Sequence, residues 1–229
     1  FPDDKISHTC DLADFSRLKG KTVAIIGGRQ SAFEWAALLS ENGAKEVHVV
    51  HRHETPSFEQ SDWSWVKSLA DKTMEDPSWF RSLPEDQKQD LVSRFYSEGR
   101  LKLEPWLKPR INRKNIRMWP RSEVASCPEM PDGKLKLLLT KGEAIAADHV
   151  VLATGYKVNM ENIPFLANGN IRLATKDGFP VLDEHFQSSI PGLFVTSLPA
   201  TQDFGPFFAF TVSVGASAKV IGDAVKDRI

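Results

Sequence analysis

The sequence predicts a three-layer α/β protein, and three observations predict it. A short apolar run, Val23-Ala24-Ile25-Ile26, stops at Gly27-Gly28. A helical pattern and a second short apolar run, Val47-His48-Val49-Val50, follow it. Further on, three strand-like runs are separated by the turn pairs Asp132-Gly133 and Lys141-Gly142.

Each element can be justified in order. A short run of β-branched and small apolar residues halted by glycine reads as a strand buried on both faces, as in parallel sheets. From Gln30 to Asn42, Ala32, Trp35, Ala36 and Leu39 recur at helical spacing, and Asn42-Gly43 supplies the stop. Strand, glycine turn, helix and strand make a βαβ unit, the core of a Rossmann-like nucleotide-binding domain.

From Pro56 to Gly99 the pattern changes to a helical insertion with no strand signal. Trp63, Trp65, Trp79 and Phe80 sit there among many charges. Ser82 and Glu85 have capping-box spacing with Pro84 in the first turn, and Leu91, Val92, Phe95 and Tyr96 form one apolar face before Gly99. Packing is the first reading of these tryptophans, and a substrate path lined by Phe58, Trp63 or Trp65 is the second.

Beyond Trp119 come strands over Glu123 to Cys127, Lys134 to Thr140 and Ala144 to Ala147, an antiparallel β meander. Asp148 then leads into a buried strand, Val150 to Ala153, ending at Thr154-Gly155. A last strand is expected at Leu193 to Thr196, and a buried helix over Pro206 to Ala218.

Composition narrows the function classes. The 229 residues carry 29 basic and 30 acidic side chains, a net charge of -1, which argues against nucleic acid as partner and against an anionic membrane. Cys10 and Cys127 form no CxxC pair, which points to a reducing, cytoplasmic setting and away from dithiol chemistry. No run reaches the roughly 20 apolar residues of a membrane span. The chain opens on Phe1 rather than Met, so a preceding segment is expected.

The candidate site is the glycine turn. Gly27, Gly28, Arg29, Gln30, Ser31 and Ala32 fill a GxGxxG/A frame, which aims backbone N–H groups and a helix N-terminus at a pyrophosphate. Arg29 stands where the frame has its middle glycine. It either meets a phosphate with its guanidinium or crowds the site. An NAD site has an acid about 20 residues past the glycines. Here His51-Arg52-His53 occupies that place, and Arg52 suits a 2′-phosphate, which favours NADPH. A metal pair at His51 and His53 lacks a supporting Cys cluster or second His pair, so no metal is expected. His149 and His185 are isolated and read as structural.

These residues together resemble a known family. His8-Thr9, Phe15, Lys19-Gly20-Lys21 and the run Val23 to Ala32 are similar to the second nucleotide-binding region of flavin-containing monooxygenases and N-hydroxylating monooxygenases. Phe1 to Phe15 resembles their Phe-x-Gly-x-x-x-His signature, with Asp3 for the glycine and His8 one residue late. Ala153-Thr154-Gly155-Tyr156 resembles their Ala-Thr-Gly-Tyr motif, and Pro191 to Pro206 resembles the segment that returns to the flavin domain.

The resemblance implies NADPH at Gly27 to Ala32, with His51 and Arg52 beside it, and FAD as second cofactor, with Ala153, Thr154 and Gly155 near the cofactors. It implies a flavin hydroperoxide that oxygenates a small nucleophilic substrate, and it names no catalytic side chain. It divides the chain into a linker from a flavin domain (1–20), an NADPH-binding domain (21–147, with the insertion at about 56–99) and the C-terminal part of a flavin domain (148–229). The family's first glycine motif for FAD is absent from this sequence, so FAD is expected to need a preceding half. Where related reductases end the last strand with Gly-Asp, this chain has Ser197-Leu198. Disulfide-reductase relatives, a thiol-independent flavin reductase and a non-catalytic nucleotide-binding domain stand as alternatives, and homo-oligomerisation is open.

Overall fold

The computed structural model describes residues 4–11, 14–167 and 171–226. Along the chain run β1 (Ile6–His8), β2 (Thr22–Ile26), α1 (Gln30–Glu41), β3 (Glu46–His51) and β4 (Ser57–Phe58). Next come α2 (Val66–Glu75), α3 (Glu85–Arg100), β5 (Lys102–Leu103), α4 (Leu107–Ile111) and β6 (Ile116–Pro120). The meander is β7 (Val124–Ser126), β8 (Leu135–Leu139) and β9 (Ala144–Ala147), followed by β10 (His149–Leu152). The remainder holds α5 (Pro164–Ala167), β11 (Thr175–Lys176), β12 (Phe179–Pro180), α6 (Thr201–Phe204) and α7 (Val214–Lys226). The chain divides into two compact units, residues 1–61 with 99–155 and residues 62–98 with 156–229.

The first unit is built on a five-stranded parallel sheet in the order β1-β10-β2-β3-β6. Its register sets His8, Leu152, Ile26, Val50 and Trp119 in one row across the strands. Side chains alternate along each strand, so the two faces take different residues. Val23, Ile25, Val47, Val49 and Val151 pack with Ala32, Phe33, Ala36 and Leu39 of α1 and with Leu107 of α4. Ala24, Val50 and Val150 face the meander, whose Leu135, Leu137, Leu139, Ile145 and Ala147 point inward. Helix, parallel sheet and antiparallel sheet are the three expected layers.

Helix α1 ends as its sequence predicts. Gly43 N–H donates to the Ser40 carbonyl and Ala44 N–H to that of Leu39, which satisfies two of the orphan carbonyls of the last turn. Asp148, in the corner between β9 and β10, braces β2: its carboxylate accepts from Thr22 N–H at 2.8 Å, and its own N–H donates to the Thr22 carbonyl.

The second unit packs α2, α3 and the C-terminal segments around an aromatic core. Phe186 and Phe204 stack with centroids 3.6 Å apart, and Phe207, Phe208, Trp79 and Phe80 surround them. Trp79 is buried and donates Nε1–H to Thr73 Oγ1 at 2.8 Å, so packing and a satisfied polar tip hold it. Trp63 and Trp65 are half-buried against the same core, each in ring contact with Phe95. Phe58 belongs to the first unit, where it packs edge-on to Phe33.

Several expectations need correction. Leu193 to Thr196 is not a strand: its pairing with Phe186 to Ser188 is limited to one isolated bridge, Phe194 to Gln187, flanked by two backbone bonds. Pro206 to Ala218 is not one buried helix. Two 3₁₀ turns, Pro206–Ala209 and Thr211–Ser213, precede α7, because Phe210 between them is extended (φ -127°, ψ 158°). Ser213 Oγ donates back to the Phe207 or Phe210 carbonyl there, a local alternative to helical bonding. Phe210, Val212 and Val214 are exposed.

The insertion is not strand-free, since β4 pairs in parallel with β5. Gly99 does not end α3, which runs through it to Arg100. Strands β1 and β6 went unrecognised in the sequence, the one because it is three residues long and the other because Arg117 and Pro120 disguise it. Ile6–His8 and His149–Leu152 supply β1 and β10 to the same sheet as β2, which leads into the glycine turn.

Candidate nucleotide-binding site

The chain leaves β2 for α1 and β3, continues outward to β6, and returns through the meander to β10 on the other side of β2. That reversal makes the C-terminal ends of β2 and β10 a topological switch point, where open α/β sheets bind ligands. Gly27 follows β2 directly and Ala153 follows β10, while His51 ends β3. The sequence-predicted site residues therefore lie at the C-terminal ends of β10, β2 and β3 or in the turn and helix start that follow β2.

The glycines are required by contact. Gly27 has φ +145°, and a Cβ there would sit 2.3 Å from the Ala153 carbonyl oxygen. A Cβ on Gly28 would sit 2.4 Å from His51 Cβ and 2.8 Å from His53 Cε1. The turn is thus pressed between the ends of β10 and β3, and Ala32 is buried beneath it.

Arg29 is the residue before α1, with no side-chain cap on the helix. Its guanidinium Nη1 donates to the Arg100 carbonyl at 2.5 Å, where the end of α3 concentrates partial negative charge. Gln30 is half-buried and bridges: its Nε2 donates to Glu34, and its Oε1 accepts from Glu104 N–H at 3.1 Å. Ser31 is exposed on the first turn.

His51 is buried, and its Nδ1 lies 2.8 Å from the His53 carbonyl, so Nδ1 carries a proton. Burial holds its pKa below the usual histidine value; the bond to His53 opposes this, and the charges of His53 and Arg29 add to it. His51 is accordingly a neutral packing group that shapes the turn through Gly28, not a phosphate cation. Arg52 is exposed at the strand end. On the β10 side, Ala153 N–H donates to the Ile26 carbonyl, and Thr154 and Gly155 are exposed beyond it. No group of three or more His, Cys, Asp or Glu is arranged to hold a metal ion among the described residues.

Helix-start N–H groups, the Ser31 hydroxyl and the cations Arg29 and Arg52 form a donor set that fits a nucleotide's phosphates. One such strand–glycine–helix turn is present among the described residues, not two. Ser197, at the position where reductases carry glycine, holds φ 66° and ψ -145°, a region that glycine occupies without strain, and Leu198 supplies no acid. Sequence reasoning missed Arg121, whose Nε pairs with Glu54 at 3.0 Å, and Lys141, whose Nζ donates to the Pro120 carbonyl at 3.1 Å. Their link depends on β6, whose sequence carries no strand alternation.

Residues 90–196 match the family model of the pyridine nucleotide-disulphide oxidoreductases. Over 61 residues, 27% of this chain and 18% of the relative, the sequence is 41% identical to ferredoxin–NADP reductase from Anaplasma marginale. Nearly the whole chain superposes on N-hydroxylating monooxygenases of known structure. With L-lysine 6-monooxygenase from Pseudomonas syringae the TM-score is 0.62 at 19% identity, covering 97% of this chain and 58% of that one. With the FAD-bound cadaverine monooxygenase of Erwinia amylovora it is 0.66 at 16% identity, covering 99% and 56%. Thioredoxin reductase from Lactococcus lactis also matches, with a TM-score of 0.56 at 18% identity, covering 97% and 57%. The chain thus spans little more than half the length of these solved structures and a small part of the curated relative. The chain therefore shares its fold with these monooxygenases and this reductase, and residues 90–196 match the pyridine nucleotide-disulphide oxidoreductase family.

Proposed function

We propose that this chain is the NADPH-binding portion of a flavin-dependent oxidoreductase that oxygenates a small nucleophilic substrate. The observation that carries the proposal is the glycine turn at the β2/β10 switch point, with Arg52 at the neighbouring strand end. NADPH lies with its pyrophosphate against the start of α1 and Arg29, and its adenosine 2′-phosphate toward Arg52. Thr154 and Gly155 line the β10 side of the same cleft.

FAD is the second cofactor and supplies the redox chemistry between nicotinamide and substrate when bound. The glycine turn supports a role for this chain on the nicotinamide side of that chemistry. What the chain's own residues do is bind and orient the reduced nucleotide, with His51 packed against Gly28 to shape the turn.

Monooxygenation is favoured over a thiol reductase because Cys10 is exposed and Cys127 is half-buried with its thiol pKa raised by burial, and no CxxC joins them. A flavin reductase without a thiol step is the second reading, supported by the local identity to ferredoxin–NADP reductase. Calorimetric titration with NADPH and with NADH tests the nucleotide assignment, with tighter binding of NADPH expected and binding of neither refuting it. Oxygen uptake with NADPH, in protein reconstituted with FAD, then separates the two chemistries. Peroxide release without substrate is expected of a monooxygenase, whereas acceptor reduction without oxygen consumption marks the reductase.

A further inference from the structure

The corner where β3 and β6 end carries more cationic chemistry than the proposed site uses. Past the last parallel pair, His51 with Pro120, the chain leaving β6 turns back across the end of β3. Ser122 N–H donates to the His51 carbonyl at 3.0 Å, and Arg121 N–H to the His53 carbonyl at 3.0 Å. These two bonds bracket Arg52, so Arg52 and Arg121 leave adjacent backbones. Lys141 reaches the same corner, its Nζ donating to the Pro120 carbonyl at 3.1 Å.

Arg121 is held in a conformation that disfavours it. Its φ is +52°, the left-handed region where glycine or asparagine is the usual occupant. Such backbone outliers concentrate at ligand clamps. Its side chain is two-thirds exposed and packs into no core, so burial does not account for an arginine here. The guanidinium Nε is paired with Glu54 Oε1 at 3.0 Å, and Glu54 is equally exposed. A pair this open to water contributes little to stability and exchanges readily for a better anion.

Resting on the NADPH reading above, we propose that Arg121 is the second cation for the nucleotide's 2′-phosphate, and that Glu54 is a resident stand-in for it. Arg52 and Arg121 close on the phosphate monoester from neighbouring strands, with Lys141 adding charge behind them. Glu54 holds Arg121 through Nε while the site is empty and gives it up when the dianion enters, because the phosphate monoester carries more charge than a carboxylate. Glu54 also repels the incoming phosphate, so it costs affinity in return for a pre-arranged Arg121. Discrimination between NADPH and NADH then depends on the residue just past β6, not on the end of β3 alone.

Arg121→Gly makes a clean test, since glycine prefers this backbone conformation and the variant removes the guanidinium without straining the turn. The probes are adenosine 2′,5′-bisphosphate and adenosine 5′-monophosphate, titrated calorimetrically into the wild-type protein, Arg121→Gly and Glu54→Gln. We expect the wild type to bind the bisphosphate more tightly. Arg121→Gly should weaken it by about tenfold or more and leave the monophosphate unchanged, as for a lost charge-assisted hydrogen-bond pair. Glu54→Gln should tighten the bisphosphate alone. If the wild type prefers the bisphosphate but Arg121→Gly keeps the full preference, the role of Arg121 is refuted while the NADPH assignment stands. Binding of neither probe to the wild type would overturn both.

Discussion

Arg29 stands where the backbone of a glycine usually approaches a pyrophosphate, and its guanidinium rests on the Arg100 carbonyl. A cation at the start of α1 strengthens the field that already favours an anion there. The bond to Arg100 keeps the side chain close to the turn. Pyrophosphate is common to NADPH and NADH, so Arg29→Ala should weaken both by a similar factor, about tenfold. Calorimetry on the two nucleotides checks this, and tighter binding in the variant would identify Arg29 as an obstruction. The contrast with Arg121 is diagnostic: one residue scales both affinities, the other changes their ratio.

The turn between β2 and α1 is the element on which the site depends. It is pinned from both sides, by the Ala153 carbonyl against Gly27 and by His51 against Gly28. Gly27→Ala would drive a Cβ into a backbone oxygen at a φ that alanine does not adopt, so the end of β10 must move. We expect destabilisation of about 3 kcal/mol, measured by urea unfolding, together with loss of nucleotide binding. An unchanged midpoint would show that β10 yields without cost. The glycine pair was legible as a turn from its place between an apolar run and a helical pattern. Its contact partners were not, because Ala153 and His51 reach it only through the parallel pairing of β10, β2 and β3. Elsewhere the same limit shows at Leu193 to Thr196, where local strand propensity meets a pairing only one bridge long.

At the scale of the whole molecule, three histidines couple stability to pH. His48, His51 and His149 all have pKa values pushed below the ordinary 6.5, in each case chiefly by burial. The unfolded chain binds these protons more readily than the folded one, so their contribution is present above about pH 6.5 and is lost as pH falls through the lower, folded values. His48 adds a structural reason: Trp119 Nε1–H donates to its Nδ1 at 3.1 Å, and a protonated Nδ1 cannot accept. Melting temperature should therefore fall between about pH 7 and pH 5. His51→Asn, which retains a donor for the His53 carbonyl, should make that slope shallower, and an unaltered slope would exclude His51 from it. Glu41 and Asp14, whose pKa values are lowered chiefly by side-chain hydrogen bonds from Arg110 and Ser16, act in a separate window at lower pH.

By itself, the sequence determined the periodic and the punctuated parts: β2, α1, β3, the meander, β10, the helical insertion and the glycine turn. In each, a few neighbouring residues carry the whole signal, through alternation, helical spacing or a turn pair. Only the tertiary structure decided that β1 and β6 complete the sheet, that His51 packs beneath the turn as a neutral ring, and that Arg121 and Glu54 stand beside Arg52. Those facts come from pairing between segments far apart in the chain, and strand register, unlike local pattern, exists only once the sheet has formed.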